Sequence, residues 1–456
     1  KFPTDQQWAF FPSVSGGWRV SEEAFWKVNP DLFSNLKIRA SYGSLGNGNV
    51  SPYSFLELLS ISTSGRVLNG LKNKYTSAPA VMPDGLTWET ATTTDVGLDF
   101  GMLNNRLQFN GDYYIRKTTD MYTVGETLPD VFGASSPKGN YADMTTKGWE
   151  ITLTWRDQFT LAEKPFNYEI RGTLSDYIST IDRYNNQTGN LDDYYAGKRV
   201  GEIWGYVTEG LFKDQADIDS HADQTLIQSS SKRITYPGDV KIKDLNGDHV
   251  IDYGNNTVDD HGDKTVIGNA LPRYAYSINL SGDWNNFFLS AFFQGVGKQD
   301  WYPSSECIFW GQYNRPYNNM PTWHQGNYWT EDNTDAYLPR YAGYNASLKS
   351  TPQTRYLQYV AYIRLKNLQF GYTLPQPIVS KAKLQNVRVY ISAENLWCWS
   401  PLYKHTRDLD VTNIYGSDPD LTDADMSSGL NGNRGSGDGN SYPQMKSVSL
   451  GLSVTF

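Results

Sequence analysis

The chain has 456 residues, a formal net charge of −9 and a sequence pI of about 5.2. This acidic balance argues against a nucleic-acid-binding protein, which needs a basic surface. The two cysteines exclude a disulfide-dense scaffold and a four-thiolate zinc site. The sequence begins with neither a methionine nor a signal peptide, which indicates a processed chain or part of a longer one.

Alternation of polar and apolar residues recurs along the whole chain. In the segment 106–117, Leu107, Phe109 and Ile115 share one face, while Gln108 and Asp112 lie on the other. Reading every segment in this way predicts about eleven strands. In chain order they cover residues 8–20, 36–44, 88–100, 106–117, 146–157, 166–177, 272–283, 287–297, 355–373, 387–395 and 446–456.

The connections between these strands alternate strictly between short and long. Barrels of the bacterial outer membrane have short turns on one side and long loops on the other. Strands of about 9–11 residues also span a bilayer when they are tilted. The prediction is therefore an all-β fold, a transmembrane antiparallel up-and-down β-barrel with long extracellular loops. A soluble sandwich would show the same alternation, but the loop pattern and the 14% aromatic content favour the barrel.

Seven segments of the sequence carry a family resemblance. They are LKIRASYGSLGNGNVSPY (36–53), LTWETATTTDVGLDFGMLNNRL (86–107), NYADMTTKGWEITLTWR (140–156), GDVKIKDLNGDHVID (238–252), YIRLKNLQFGYTLP (362–375), NVRVYISAENLW (386–397) and YPQMKSVSLGLSVTF (442–456). In this order they resemble the C-terminal barrel of SusC/RagA-type TonB-dependent outer-membrane transporters. Each match is weak alone, and together they are specific.

The resemblance implies a fold, a location and partners. The family barrel has about 22 strands, contains an N-terminal plug and is capped by a SusD-like lipoprotein. It imports oligosaccharides or peptides with energy delivered through TonB, which contacts the plug side. No plug is expected within this chain, and eleven strands cannot close an even antiparallel barrel. Residues 1–456 are therefore expected to form the C-terminal half of such a barrel, in contact with outer-membrane lipid and without nucleic acid.

The last strand ends on an aromatic residue. The apolar face of SVSLGLSVTF closes on Phe456, the final residue. This ending resembles the signal that the outer-membrane barrel assembly machinery reads. The alternative is an ordinary edge strand that ends in phenylalanine.

One segment has the oxygen spacing of a calcium loop. The expected ligands are Asp244, Asn246, Asp248, the Val250 carbonyl and Asp252. His249 replaces the glycine of the sharp turn, and Asn255 replaces the bidentate glutamate. The alternative is a turn in which aspartates and asparagine bind their own backbone.

The calcium-like segment lies within a long acidic connection, residues 178–271. This connection has 16 Asp and Glu residues against 9 Lys and Arg residues. It is expected to be an extracellular loop. Its acidic surface is either simply solvated or a docking surface for the lipoprotein cap.

Aromatic clusters in the long connections are candidate ligand contacts. The candidates are Trp301, Tyr302, Trp310, Trp323, Trp329 and Trp397. Flat rings can stack on sugars or hold peptide side chains. Membrane-interface girdles and packing within the loops explain such residues equally well.

No signature of an enzyme is present. The five histidines lack metal-ligand spacing, and neither G-x-S-x-G nor a P-loop occurs. Cys307 and Cys398 could form a disulfide or remain two free thiols. The leading hypothesis is an importer that binds and gates. The alternatives are a secreted carbohydrate-active protein, either a glycosidase or a glycan-binding protein, and a passive porin or secretion barrel.

Overall fold

The computed structural model describes residues 1–77, 85–125, 131, 136–228, 234–303, 307–313, 318–342, 351–407, 409–412 and 444–456. Eleven strands of this part form one sheet in which spatial order equals chain order. The strands are β1 (Ser13–Arg19), β2 (Phe33–Asn47), β3 (Glu89–Met102), β4 (Leu107–Val124), β5 (Lys138–Leu161), β6 (Lys164–Arg183), β7 (Arg273–Trp284), β8 (Phe287–Lys298), β9 (Tyr362–Thr373), β10 (Asn386–Trp399) and β11 (Ser447–Thr455). Neighbouring strands are antiparallel throughout, which confirms the predicted up-and-down arrangement.

Most predicted strand positions agree with the structure, and the differences lie at strand ends. β5 is 24 residues long and extends beyond the predicted 146–157. The predicted strand 355–373 starts too early, because β9 begins at Tyr362. Before it, Gln358–Tyr359 pairs with Asp300–Trp301 in a separate small sheet.

Short elements occupy the connections. The other short strands are Ile61–Leu68 with Leu71–Thr76, Glu202–Tyr206 with Lys264–Asn269, Thr208–Leu211 with Val240–Ile242, and Tyr328–Trp329 with Leu338–Arg340. The helical segments are Thr4–Gln6, Val20–Glu22, Gln215–Asp219, Thr225–Ile227, Ile308–Tyr313, Thr322–His324, Gln376–Val379, Ser380–Ala382 and Pro401–Lys404. None of the helices described is long and apolar enough to cross a membrane.

One face of the sheet is apolar along continuous rows of paired residues. One row, from β5 to β11, contains Trp155, Ile170, Leu280, Ala291, Leu368, Ala393 and Val448. In the next row Phe370 is 49% exposed and Leu450 is 79% exposed. An apolar surface of this extent is not stable against water, but it suits the hydrocarbon of a bilayer. We call this side the outward face.

The two ends of the sheet differ in their connections. The shorter connections, 20–32, 103–106, 162–163, 285–286 and 374–385, lie at one end, which we call the turn end. The long connections 48–88, 184–272, 299–361 and 400–446 lie at the other, the loop end, together with 125–137. Because 125–137 is only as long as 20–32, the strict alternation expected from the sequence does not hold at this connection. At the turn end, Asn285 and Asn286 both have positive φ angles, 48° and 70°. Two such residues form the tight hairpin turn whose twist matches the flanking strands.

The sheet does not close on itself within the described residues. β1 pairs only with β2, and β11 pairs only with β10. Each of these two strands therefore presents one unpaired row of backbone groups.

Three of the long connections share one hydrophobic core at the loop end. We call it the loop core, and it lies in segments 184–272, 299–361 and 400–412. Its buried side chains are Tyr206, Leu211, Val240, Ile242, Ile251, Trp301, Cys307, Phe309, Trp310, Tyr313, Trp329, Ala336, Leu338, Tyr356, Val360, Leu402, Leu409 and Val411. The connections therefore form a packed unit.

Candidate functional site

The inward face of the sheet is polar and carries ion pairs between neighbouring strands. Arg39 on β2 lies 2.8 Å from Asp99 on β3 and 2.8 Å from Asp112 on β4. Arg156 on β5 lies 2.5 Å from Glu169 on β6. These charges share one side of the sheet because the register alternates them with the outward apolar rows. The arrangement fits an aqueous or plugged lumen, as the sequence predicts.

A recess of about 890 Å³ lies at the turn end of this inward face. Its charged lining residues are Arg106, Arg156, Asp157, Glu169, Asp283 and Arg388. The guanidinium of Arg388 lies 4.5 Å from the centre of the Phe288 ring. The recess therefore combines charged groups with an aromatic surface.

The loop core holds most of the aromatic candidates in its interior. Trp301 is 3% exposed, Trp310 is fully buried, and Trp329 is 9% exposed. Tyr302 and Trp323 pack against the same core and are partly buried. In this conformation the first three rings have almost no surface left for a ligand. Their placement matches the loop-packing alternative, and their role as ligand contacts stays a prediction.

Trp397 lies elsewhere, on β10. It pairs with Leu365 and alternates with inward-facing neighbours, so its ring belongs to the outward face. The ring is 47% exposed. A tryptophan on the apolar face near the loop end suits the aromatic girdle of a membrane protein.

A buried histidine sits at the centre of the loop core. His324 has no exposed surface, and its Nε2 lies 2.9 Å from the Phe309 carbonyl oxygen. The rings of Trp323 and Tyr313 surround it at 4.2 and 5.7 Å. Burial lowers the pKa of His324 to about 4, because a charged imidazolium would lose its hydration here. The ring is therefore neutral at pH 7.

Asp239 forms a buried ion pair beside the loop core. Arg340 Nε lies 2.7 Å from Asp239 Oδ1, and its guanidinium lies 4.5 Å from the centre of the Tyr236 ring. Burial raises the pKa of Asp239, and the arginine opposes that shift. The pair ties segment 184–272 to segment 299–361.

The calcium-like segment forms a tight turn held by its own backbone. Asp244 accepts hydrogen bonds from the N–H groups of Gly247, at 2.6 Å, and His249, at 2.9 Å. Asp248 accepts one from the Val250 N–H at 2.8 Å. The bond from the Gly247 N–H lowers the pKa of Asp244 most, followed by that from His249. This geometry matches the backbone-binding alternative for the turn.

The backbone of this turn also keeps one feature of a cation loop. His249 has a φ angle of +65°, the left-handed conformation for which calcium loops use glycine. Among the residues described, however, no three His, Cys, Asp or Glu side chains group as metal ligands do. The ligand set Asp244, Asn246, Asp248, Val250 and Asp252 stays a prediction.

The remaining predicted residues are also located. Cys307 is buried in the loop core and Cys398 is half-buried on β10, and the two do not form a disulfide with each other. Phe456 is 83% exposed directly after β11, on the edge that has no partner strand. Its role in barrel assembly stays a prediction.

Sequence reasoning missed the loop core and the ion pairs that surround it. Arg364 on β9 and Asp410 beyond β10 form a buried pair at 2.6 Å. Partners so far apart along the chain leave no local signal. The clustering of tryptophans in the long connections was the available hint, and it indicated a shared core as well as a binding surface.

The sheet, with its outward apolar rows, inward charges and alternating connections, defines a membrane β-barrel protein. Residues 1–396 match the family described as TonB dependent receptor-like, beta-barrel. The chain belongs to this family of bacterial outer-membrane proteins. The loop end is therefore extracellular and the turn end periplasmic.

Relatives share modest identity with the chain. TonB-dependent receptor P26 of Formosa agariphila is 28% identical over 477 residues, covering 100% of this chain and 43% of the relative. SusC of Bacteroides thetaiotaomicron is 29% identical over 205 residues, covering 44% of this chain and 20% of the relative. The solved structure of the RagAB peptide transporter superposes with a TM-score of 0.70 at 20% identity, covering 100% of this chain and 44% of that one. The chain thus spans less than half the length of these relatives.

Proposed function

We propose that residues 1–456 form the C-terminal half of the barrel of a TonB-dependent importer. The observation that carries this proposal is the eleven-stranded sheet with one edge unpaired on each side. The partial coverage of the relatives supports it, because further strands and a plug would account for the rest of their length. The protein works by binding and gating, without covalent chemistry. Family membership favours this role over a secreted carbohydrate-active protein or a passive porin.

The substrates in this proposal are oligosaccharides or peptides. One similar structure is named a peptide transporter, and the polar inward face provides hydrogen-bonding groups that suit either class. Uptake of labelled oligosaccharides and peptides by cells with and without the gene would separate the two. Uptake that persists after TonB is inactivated would contradict the energised mechanism.

The extracellular partner in this proposal is a SusD-like lipoprotein. The acidic connection 184–272 supports this, because a folded surface with an excess of one charge can select a complementary protein. Reversing Asp219 and Asp259 to lysine, both exposed there, should reduce co-purification of the lipoprotein. The same reversal at Asp31, exposed at the turn end, is the matched control and should have no effect.

A direct test of the half-barrel uses expression of residues 1–456 alone. An open sheet in a bilayer leaves unpaired N–H and C=O groups, each costing several kcal/mol. The isolated chain should aggregate, and co-expression with the missing barrel half should yield a heat-modifiable barrel. A monodisperse folded protein of 51.6 kDa in plain buffer would contradict the proposal.

A further inference from the structure

The outward face changes its chemistry toward the extracellular side of β3–β6. The first row to consider there contains Val96, Tyr113, Trp149 and, on β6, Asp176, whose carboxylate is paired with Arg273. The next row outward contains Thr94, Ile115, Lys147 and Ile178, and the row beyond it contains Thr92, Lys117, Thr145 and Thr180. An apolar and aromatic belt thus gives way to hydroxyl groups and lysines. This sequence of side chains marks the level where hydrocarbon ends and lipid headgroups begin.

Two lysines at this level point outward without partners. Lys117 on β4 and Lys147 on β5 are both exposed. Lys147 pairs with Ile115 and Lys117 pairs with Thr145, so the lysines are diagonal neighbours on adjacent strands. Side chains at such positions lie about 7–8 Å apart at their bases, within reach of one common ligand when the side chains are long.

The acidic side chains near the two lysines have other partners. Of the nearest acids along the register, Asp176, diagonal to Lys147, is paired with Arg273, and Asp182 accepts a hydrogen bond from the Thr145 hydroxyl at 2.5 Å. Neither lysine forms an ion pair or a hydrogen bond with any residue in the described ranges. Arg273, by contrast, forms a bidentate ion pair with Asp176, in which its Nε lies 2.5 Å from the carboxylate. Of these cations, only the two lysines have a free charge.

We propose that Lys117 and Lys147 bind the phosphate-bearing headgroup of a glycolipid in the outer leaflet of the membrane. The site is continuous with the lipid-facing belt, so the acyl chains of a bound lipid would lie against Tyr113 and Trp149. Two ammonium groups complement one phosphate in charge. Lysine suits this position because its stem covers apolar surface while its charge reaches the headgroup level.

The position within the sheet supports a lipid over a partner strand. β4 and β5 are paired on both sides, so additional strands of the barrel would join at β1 and β11 and leave this face uncovered. The outward face at β4 and β5 is therefore open to membrane lipid.

The test uses the full-length protein, purified in detergent and stripped of lipid. Lipopolysaccharide is added either intact or after enzymatic removal of its phosphates, and the temperature of barrel unfolding is measured. Intact lipid should raise this temperature and dephosphorylated lipid should raise it less. Lys117→Gln with Lys147→Gln should weaken binding of the intact lipid about 5-fold per lysine, because each cation near an anionic lipid surface contributes about that factor.

The controls separate phosphate binding from a general loss of stability. Lys117→Arg with Lys147→Arg retains both charges and should retain binding. Lys164→Gln, in the hairpin at the periplasmic end, should leave binding unchanged. Heat-modifiable mobility confirms that each variant folds. Equal stabilisation of wild type and the glutamine variant would overturn the proposal. Stabilisation by inorganic phosphate alone at the same concentration would overturn the lipid as its source.

Discussion

The sheet and the loop core of this protein are stabilised in opposite ways. Strands β1–β11 expose large apolar side chains such as Phe370 and bury few, so the sheet depends on its backbone ladder and on surrounding lipid. In the loop core, Trp310, Leu338 and Tyr356 have no exposed surface, as in a water-soluble domain. One part of the chain is therefore stabilised by contact with lipid and the other by burial of apolar side chains away from water. The boundary lies where the strands leave the membrane.

The strongest expected effect tests the loop core as a packed unit. Leu338→Ala removes a fully buried side chain and should destabilise the loop core by about 2–5 kcal/mol. Leu226→Ala, at a 47% exposed position in the same unit, should stay within about 0.5 kcal/mol. Protease digestion of the extracellular segments measures both. Equal cleavage of the two variants would show that the core is not a cooperative unit.

A charge placed on the outward face tests whether that face is stabilised by contact with lipid. Leu153→Arg, on the apolar side of β5 and 45% exposed, should destabilise the barrel by about 2–4 kcal/mol if it lies near the bilayer midplane. Thr152→Arg, the adjacent inward-facing position, should cost much less. Yield of heat-modifiable barrel in detergent reports the difference. Similar yields of the two variants would contradict the assignment of Leu153 to the outward face and Thr152 to the inward face.

Acidification should act on the loop core and spare the sheet. His324 has a pKa of about 4 when folded and about 6.5 when unfolded, so the unfolded segment binds the proton first. Stability of the loop core is therefore full above pH 6.5 and falls by about 3 kcal/mol between pH 6.5 and 4. Burial lowers the pKa of His405 as well, which adds in the same direction, whereas the raised pKa of Asp239 opposes the decline. In His324→Gln the decline should be shallower, measured by protease protection across this pH range.

The smallest effect concerns the turn at Asp244–Asp252. His249→Gly should stabilise the turn by about 1 kcal/mol, because glycine adopts φ of +65° without strain. Asp248→Ala should weaken calcium-dependent protection of this segment from protease, while the barrel still assembles. If a chelator leaves wild-type cleavage unchanged, the aspartates are turn formers and no cation is bound.

The sheet was predictable from the sequence because the residue pattern that specifies each strand is local. Period-2 alternation in segments such as Arg106–Lys117 determines which side chains share a face, and loop length determines which end they join. The loop core was not predictable in the same way. Its contacts join residues as distant as Tyr206 and Leu409, and nothing in the pattern around Trp310 distinguishes a buried ring from a ligand platform.

The predicted calcium turn lies between these two cases. Its oxygen spacing is local and visible in the sequence, as is the departure at His249. Whether the carboxylates bind a cation or the backbone depends on hydrogen-bond geometry. In the structure, Asp244 accepts hydrogen bonds from backbone N–H groups. Sequence identified the turn but not its chemistry.

The composition of the loop core has a consequence for biogenesis. Its three segments are separated by strands that must first pair in the membrane, since only the sheet brings 184–272, 299–361 and 400–412 side by side. Closing such distant contacts before the strands align would carry a large entropic cost. We therefore expect the segments to cross the outer membrane unfolded and the core to form outside the cell after the strands have paired. A loop exchanged singly with a relative would lack its two packing partners, so these three segments should be exchanged together.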